Sequence, residues 1–406
     1  MTRHHTLART LRLPLTLALA LASCREQLTQ PGECPELCPG GTPEVLEEVL
    51  EALPALDSTF TGYADRGSAQ VLLVSSGVPT PADTNIAIVV FAPRPDEIRF
   101  RDTLRAYTVD SIRLGVGLIA RDTAVDNLRF EVYRLPATLD TTSLTYAGVR
   151  PLLTAPALVT TIVVPDSALR GPQTVMLRGA EVNPFALAPE DAGRLRIAVT
   201  AVAGVPTGAR IGQRASLVPA SFESFVTPIV DNTTAQEIEV LPEFDTYVSS
   251  VDPVPDPDLL TIGGVPSSRS LIRFPFPTQL RDSASIIRAT LELVPAVPLL
   301  GLPNDPGNIE VRGVSTDVGA KSPRTDDRFF PPALAVAPAG TTAPVGIEVA
   351  HLIRGWQGRT GLPPTLSISV GPEAGTFTVG PFGSSRSGVA PRLRVTYLPA
   401  FPFEGQ

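Results

Sequence analysis

Leu128-Arg129-Phe130-Glu131-Val132-Tyr133-Arg134-Leu135 alternates, through Tyr133, an aliphatic or phenylalanine side chain with Arg, Glu or Tyr. Successive side chains leave a pleated backbone on opposite sides, so a period of two marks a strand with one face on a core and one in water. Leu195-Arg196-Ile197-Ala198-Val199 repeats the rhythm. Around these two stretches, short β-branched runs at 71–74, 85–91, 110–119, 160–164 and 174–177 are separated by Pro, Gly and Asp, as in an all-β protein. No segment between them has the length of a crossover helix, so the sheets are expected to be antiparallel.

Composition agrees with this reading. The chain has 32 glycines and 43 prolines in 406 residues, spread along its length, and prolines so placed interrupt hydrogen-bonded runs. A hydrophobic fraction of 43% still builds a core. The length predicts two or three domains at roughly 150 residues each. A net charge of −8, with Lys321 as the only lysine, argues against the clustered positive surface that nucleic acid requires.

Five segments recur in order. Leu72-Leu73-Val74 corresponds to Leu259-Leu260-Thr261, 86–93 to 270–275, Asp110-Ser111-Ile112-Arg113-Leu114 to Ser285-Ile286-Ile287-Arg288-Ala289, 127–132 to 308–311, and 194–199 to 365–370. Offsets between about 171 and 187 residues indicate two copies of one module, 57–235 and 236–400. Each is large enough to bury about 70% of its extended-chain surface. The expected architecture is therefore two tandem antiparallel β-sandwiches, jelly-roll-like, since each strand has one apolar side to cover. Upstream, Thr42-Pro43 followed by Val45, Leu46, Val49, Leu50 and Leu53 at helical spacing predicts one short amphipathic helix, ending before Pro54.

The first 23 residues read as an export signal. Arg3, Arg9 and Arg12 precede an apolar stretch of about ten residues, half of what a membrane-spanning helix needs. Leu21-Ala22-Ser23-Cys24 resembles the lipobox of bacterial lipoproteins. The resemblance implies cleavage before Cys24, diacylation of its thiol and acylation of the new amino group, with Arg25 after it favouring outer-membrane placement. Removing 1–23 takes away three arginines and no acid, so the lipid rather than surface charge is expected to hold the mature body to the membrane. Residues 24–56 then form the tether. Within it, Cys34 and Cys38 are left to form a small local disulfide in an oxidising compartment or to remain free thiols, and no second ligand pair supports a metal.

The second copy carries a family likeness. Asp245-Thr246-Tyr247-Val248, Arg269-Ser270-Leu271-Ile272-Arg273-Phe274, Ala289-Thr290-Leu291-Glu292-Leu293 and Pro391-Arg392-Leu393-Arg394-Val395-Thr396-Tyr397 follow one another as in the DNRLRE-type β-sandwich domain, which this half resembles. The resemblance implies a polysaccharide-binding module of a secreted or surface-anchored protein.

Chemistry-bearing constellations are few. His351 is the only histidine after the export signal and lies in an apolar Val-Ala-His-Leu-Ile segment without a Gly-x-Ser-x-Gly elbow, so no catalytic triad is expected. Trp356, the single tryptophan, with Arg354 and His351, is the best candidate for a ligand-binding cluster, although a Trp356 anchoring the core is the simpler reading, since Phe far outnumbers Tyr and Trp. Asp252, Asp256 and Asp258 alternate with prolines and form a weak candidate for Ca²⁺, although a solvated acidic loop explains them as well. The expectation is a protein without cofactor or catalytic site, placed in the outer membrane by lipid and serving polysaccharide binding, adhesion or a structural role. The alternative is a glycan-processing enzyme, or an accessory subunit of one, using paired carboxylates.

Overall fold

A computed structural model describes residues 44–399 apart from 55, 64–69, 187–190, 192, 231–233, 251–255 and 359–360. The signal segment, Cys24, Cys34 and Cys38 lie outside the described residues. Two strands, β1 (Leu46–Glu51) and β2 (Ser58–Thr61), come first. The first module follows with β3 (Val71–Ser76), β4 (Thr84–Phe91), β5 (Ile98–Phe100), β6 (Thr103–Arg105), β7 (Tyr107–Arg121), β8 (Arg129–Arg134), β9 (Leu158–Val163), β10 (Gly171–Arg178), β11 (Arg196–Val202), β12 (Thr207–Gly212) and β13 (Ser221–Pro228). Then come β14 (Gln236–Val240) and β15 (Pro242–Ser249). The second module holds β16 (Leu259–Gly263), β17 (Ser268–Arg273), β18 (Ala284–Leu293), β19 (Asn308–Gly313), β20 (Ala333–Val336), β21 (Val345–Glu348), β22 (Thr365–Gly371), β23 (Val379–Gly383) and β24 (Arg392–Pro399). Short helices include α1 (Tyr146–Val149), α2 (Thr278–Asp282) and α3 (Ala350–Arg354). Among the described residues no helix is long and apolar enough to cross a membrane.

The repeat is visible in topology. The first module orders its strands β12-β3-β4-β11-β8-β9, and the second orders the equivalents β23-β16-β17-β22-β19-β20. Opposite them lie β14-β13-β7-β10 and β1-β24-β18-β21. Every strand pairing in these sheets is antiparallel, as in the pair of β8 with β11 and of β19 with β22. In the first module β7 also pairs β12, which curls its two layers into one continuous sheet. One core gathers Leu73, Phe91, Leu114, Phe130, Ile197 and Phe222, and the other Ile272, Leu291, Val311, Leu366 and Leu393. Each such side chain, fully buried, contributes about 1.5–3 kcal/mol.

Each module borrows its flanking strands from the segment that precedes the other. β1 pairs β24 and β2 pairs β17, while β14 pairs β13 and β15 pairs β4. The two lending segments share a pattern, Leu53-Pro54-x-Leu56-Asp57-Ser58 and Leu241-Pro242-x-Phe244-Asp245-Thr246. Their aspartates do equivalent work. Asp57 is buried and accepts from the Ser385 amide (2.6 Å) and hydroxyl (2.7 Å), with Arg386 beside it at 3.1 Å. Asp245, also buried, accepts from the Arg214 amide in the matching loop of the first module. Gly212 and Gly383 begin these loops, where a Cβ would stand 2.0 Å from the Val218 carbonyl and 2.4 Å from the Val389 carbonyl.

Two boundaries of the sequence reading are thereby corrected. Residues 46–51 form a strand, not a helix, and they belong to the last sheet rather than to a tether. A spacing of four is both a helical turn and an even number, so Leu46 and Leu50 share a face in either structure. The strand prevails because Leu46 and Leu50 pack on the second core while Glu47 and Glu51 pair with Arg394 and Arg392 of β24. Likewise, β14 and β15 fall after 235 in sequence yet complete the first module.

Candidate functional site

The outer face of the β4-β11-β8 sheet is set by the same alternation that builds the core. Ile86, Ile88 and Ala198 point outward and are covered by Leu135, Val149 and their neighbours. The cover begins at α1, whose N-cap Thr145 accepts from the Gly148 amide at 3.1 Å, and continues into a 3₁₀ turn where Pro151 follows Arg150. At its margin lies a recess of about 200 Å³, lined by Ser76, Thr84, Glu131, Tyr133, Tyr146, Arg150 and Thr200 among others. Glu131 and Tyr133 share the face opposite Phe130 and Val132, and Glu131 sits across from Thr200 in register.

The Tyr133 hydroxyl donates to Glu131 at 2.6 Å. Burial, together with the hydrogen bond and charge of Glu131, pushes the Tyr133 phenol up to about 12. The phenol therefore stays a donor and fixes the carboxylate as an acceptor at neutral pH. The recess thus offers two tyrosines, an oriented carboxylate, an exposed guanidinium and short hydroxyls. A ring with several hydroxyl groups is recognised by such a lining: apolar ring faces for its C–H surface, and a few placed polar groups for its oxygens.

The second module has a cleft of about 380 Å³ on the corresponding face, lined by Tyr63, Glu310, Arg312, Arg324, Pro372 and Glu373 among others. Its charged groups are committed to one another. Arg269 grips Glu373 with two bonds of 2.6 Å and stacks 4.1 Å from the Tyr63 ring, Arg324 lies 3.2 Å from Glu373, and Arg312 pairs Glu310 and Asp327. Burial works to raise the Glu373 carboxyl, but the bonds from Arg269 and the charge of Arg324 hold it below the usual glutamate value. A carboxylate so held is the opposite of a general acid, whose task requires a raised pKa. The described pair of acids in which one is raised is Glu223 with Glu237: burial lifts Glu223, aided by Glu237 and opposed by Arg113. Neither acid lines either cleft.

The cluster singled out by composition splits between core and surface. Trp356 is 3% exposed, set edge-on against Phe276 at 5.3 Å and packed by Phe274. Arg354 donates to the Ile286 carbonyl at 2.9 Å, and His351 Nε2 lies 2.8 Å from the Pro331 carbonyl. Trp356 fills the second core together with Leu352 and Ile353 of α3, because a lone indole yields more by burial than an exposed ring does, while Arg354 and His351 lie at the surface and are tied to backbone carbonyls. Asp252 lies outside the described residues; Asp256 accepts from the Asp258 amide in a turn, and the described residues contain no group of three metal-ligating side chains.

Sequence reasoning missed Glu131, Tyr133, Tyr146 and Arg150. The signal for the first two was present: alternation that sends Phe130 and Val132 inward necessarily sends Glu131 and Tyr133 out together. No family model matches the chain, and no curated protein shows significant similarity to it.

Proposed function

We propose that this chain is a non-catalytic, lipid-anchored protein of the bacterial outer membrane whose tandem sandwiches serve adhesion through polysaccharide binding, with the recess of the first module as the binding site. The observation that carries the reading is the meeting, in one recess, of Tyr133 and oriented Glu131 from β8 with Tyr146 and Arg150 from the helix and turn that cover the sheet. The committed ion pairs of the second cleft make it the poorer receptor, because a ligand would have to break charge-assisted bonds before forming its own. Attachment falls to acylated Cys24, in keeping with the lipobox-like Leu21-Ala22-Ser23-Cys24.

Affinity electrophoresis of the mature chain through gels containing neutral and acidic polysaccharides tests the site. Retardation by at least one gel, lost on Tyr146→Ala with Arg150→Ala, is expected, and a shift of about tenfold in apparent affinity corresponds to roughly 1.4 kcal/mol. Migration that no polysaccharide retards would remove the binding reading and leave a structural one. Mass spectrometry of the protein from its host tests the anchor independently: unmodified Cys24 would refute it.

A further inference from the structure

A third recess, of about 180 Å³, opens where the two modules meet. The first module supplies Pro79, Thr80, Asp83 and Asn85, and the second supplies Val265, Ser268, Leu300, Phe377 and Val379 among others. Its walls are mainly apolar, and one polar group in it is unsatisfied: the Ser268 side chain is buried, and among the described residues its Oγ has no hydrogen-bond partner. A buried hydroxyl without a partner costs about 1–3 kcal/mol, so it calls for an explanation.

The repeat supplies one. In the first module Ser75 lies opposite Asn85, accepts from its Nδ2 at 2.8 Å, and leaves the Asn85 carbonyl to the Ser249 hydroxyl. Counted by strand register from Gly212 and Gly383, which face Val71 and Leu259, Gly263 takes the place of Ser75, one residue out of step with the sequence correspondence, and it lies opposite Ser268. The partner serine is a glycine there, and the asparagine is a shorter serine. Both changes open space and strand a hydroxyl, on the module whose edge faces the seam. Gly263 is itself required bare, since its φ is +77° and a Cβ would stand 2.2 Å from the Thr378 carbonyl.

We infer that this seam recess is a binding site for a single apolar ring bearing one hydroxyl, of phenol size, with Ser268 Oγ as its polar anchor. The volume fits: an apolar cavity of about 150 Å³ accommodates benzene. A hydroxyl on the ring both donates and accepts, so it satisfies Ser268 whichever way the serine proton points. A sugar is the poorer ligand, because Pro79, Val265, Leu300, Phe377 and Val379 would strip its hydroxyls of water while the Asp83, Asn85 and Ser249 side chains in the lining are already bonded within the protein. Because both modules touch the ligand, occupancy stiffens their contact. The site is separate from the polysaccharide recess and stands whether or not that reading holds.

Titration of the mature chain with phenol and with toluene, followed by ligand-observed NMR, tests this. Both are expected to bind, phenol about 3–10-fold more tightly, the range set by one neutral hydrogen bond. Ser268→Ala should abolish that preference while toluene still binds. Leu300→Trp should exclude both, with Val379→Phe as the second filling variant if the first does not fold. Absence of binding by either probe at millimolar concentration overturns the inference. So does a phenol preference that survives in Ser268→Ala, or binding that persists in a folded filling variant.

Discussion

Asp57→Ala separates the reciprocal lending of strands from an ordinary tandem arrangement. Asp57 is 1% exposed and its carboxylate collects three bonds, from the Ser385 amide, the Ser385 hydroxyl and Arg386. Hydrogen bonds to a charged group contribute about 1.5–3 kcal/mol each. The Arg386 share is discounted because its side chain is 30% exposed and regains water when the carboxylate is removed. The expected loss is about 3 kcal/mol, roughly a hundredfold in the opening equilibrium. Native-state hydrogen exchange reads where the loss falls. The geometry requires it in the second module, at β17 and β24, although Asp57 precedes the whole first module in sequence. Asp245→Ala must do the reverse and loosen β4 and β13. Loss of protection in the first module on Asp57→Ala, or a change below about 0.5 kcal/mol, the level of an ordinary surface substitution, would refute the exchange.

Three further outcomes follow from the packing. Trp356 emission should be blue-shifted and shielded from iodide, and Trp356→Ala should cost about 3–5 kcal/mol; a quenchable, red-shifted emission would contradict its burial against Phe274 and Phe276. Tyrosine absorbance should show one phenol ionising near 12 rather than near 10, and Glu131→Gln should bring it down. Since the folded pKa is the higher, Tyr133 favours the fold fully below pH 10 and loses that contribution as pH rises toward 12; a single transition of all tyrosines near 10 would sink the assignment. Gly383→Ala should destabilise by about 1–3 kcal/mol in thermal melts, because its Cβ would overlap the Val389 carbonyl, and an unchanged melt would rule out the loop geometry.

Local patterns were legible where one physical cause dominated. The alternation at 128–135 reads as a strand because only a pleated backbone sends Phe130 and Val132 one way and Glu131 and Tyr133 the other. The segments that recur in order lie on strands holding matching places in the two sheet orders. At 45–53 two causes competed, since apolar spacing was compatible with either structure and the arbiters, Arg392 and Arg394, lie at the far end of the chain. Scarcity misled at Trp356, where a unique residue type drew attention that burial did not justify. The seam recess was unreadable in advance, because the unpaired state of Ser268 depends on what two distant repeats place around it.

The pairing of Glu47 with Arg394 joins residues 347 positions apart. At about 5–20 residues per second, a ribosome needs roughly 20–70 s to deliver the second partner after the first. Throughout that interval β1 waits as an open strand edge, the kind of surface that nucleates aggregates. Glu47, Glu48 and Glu51 give it like charges that would repel a second nascent copy, so Glu47 and Glu51, which later seat against Arg394 and Arg392, are placed to act as gatekeepers during synthesis.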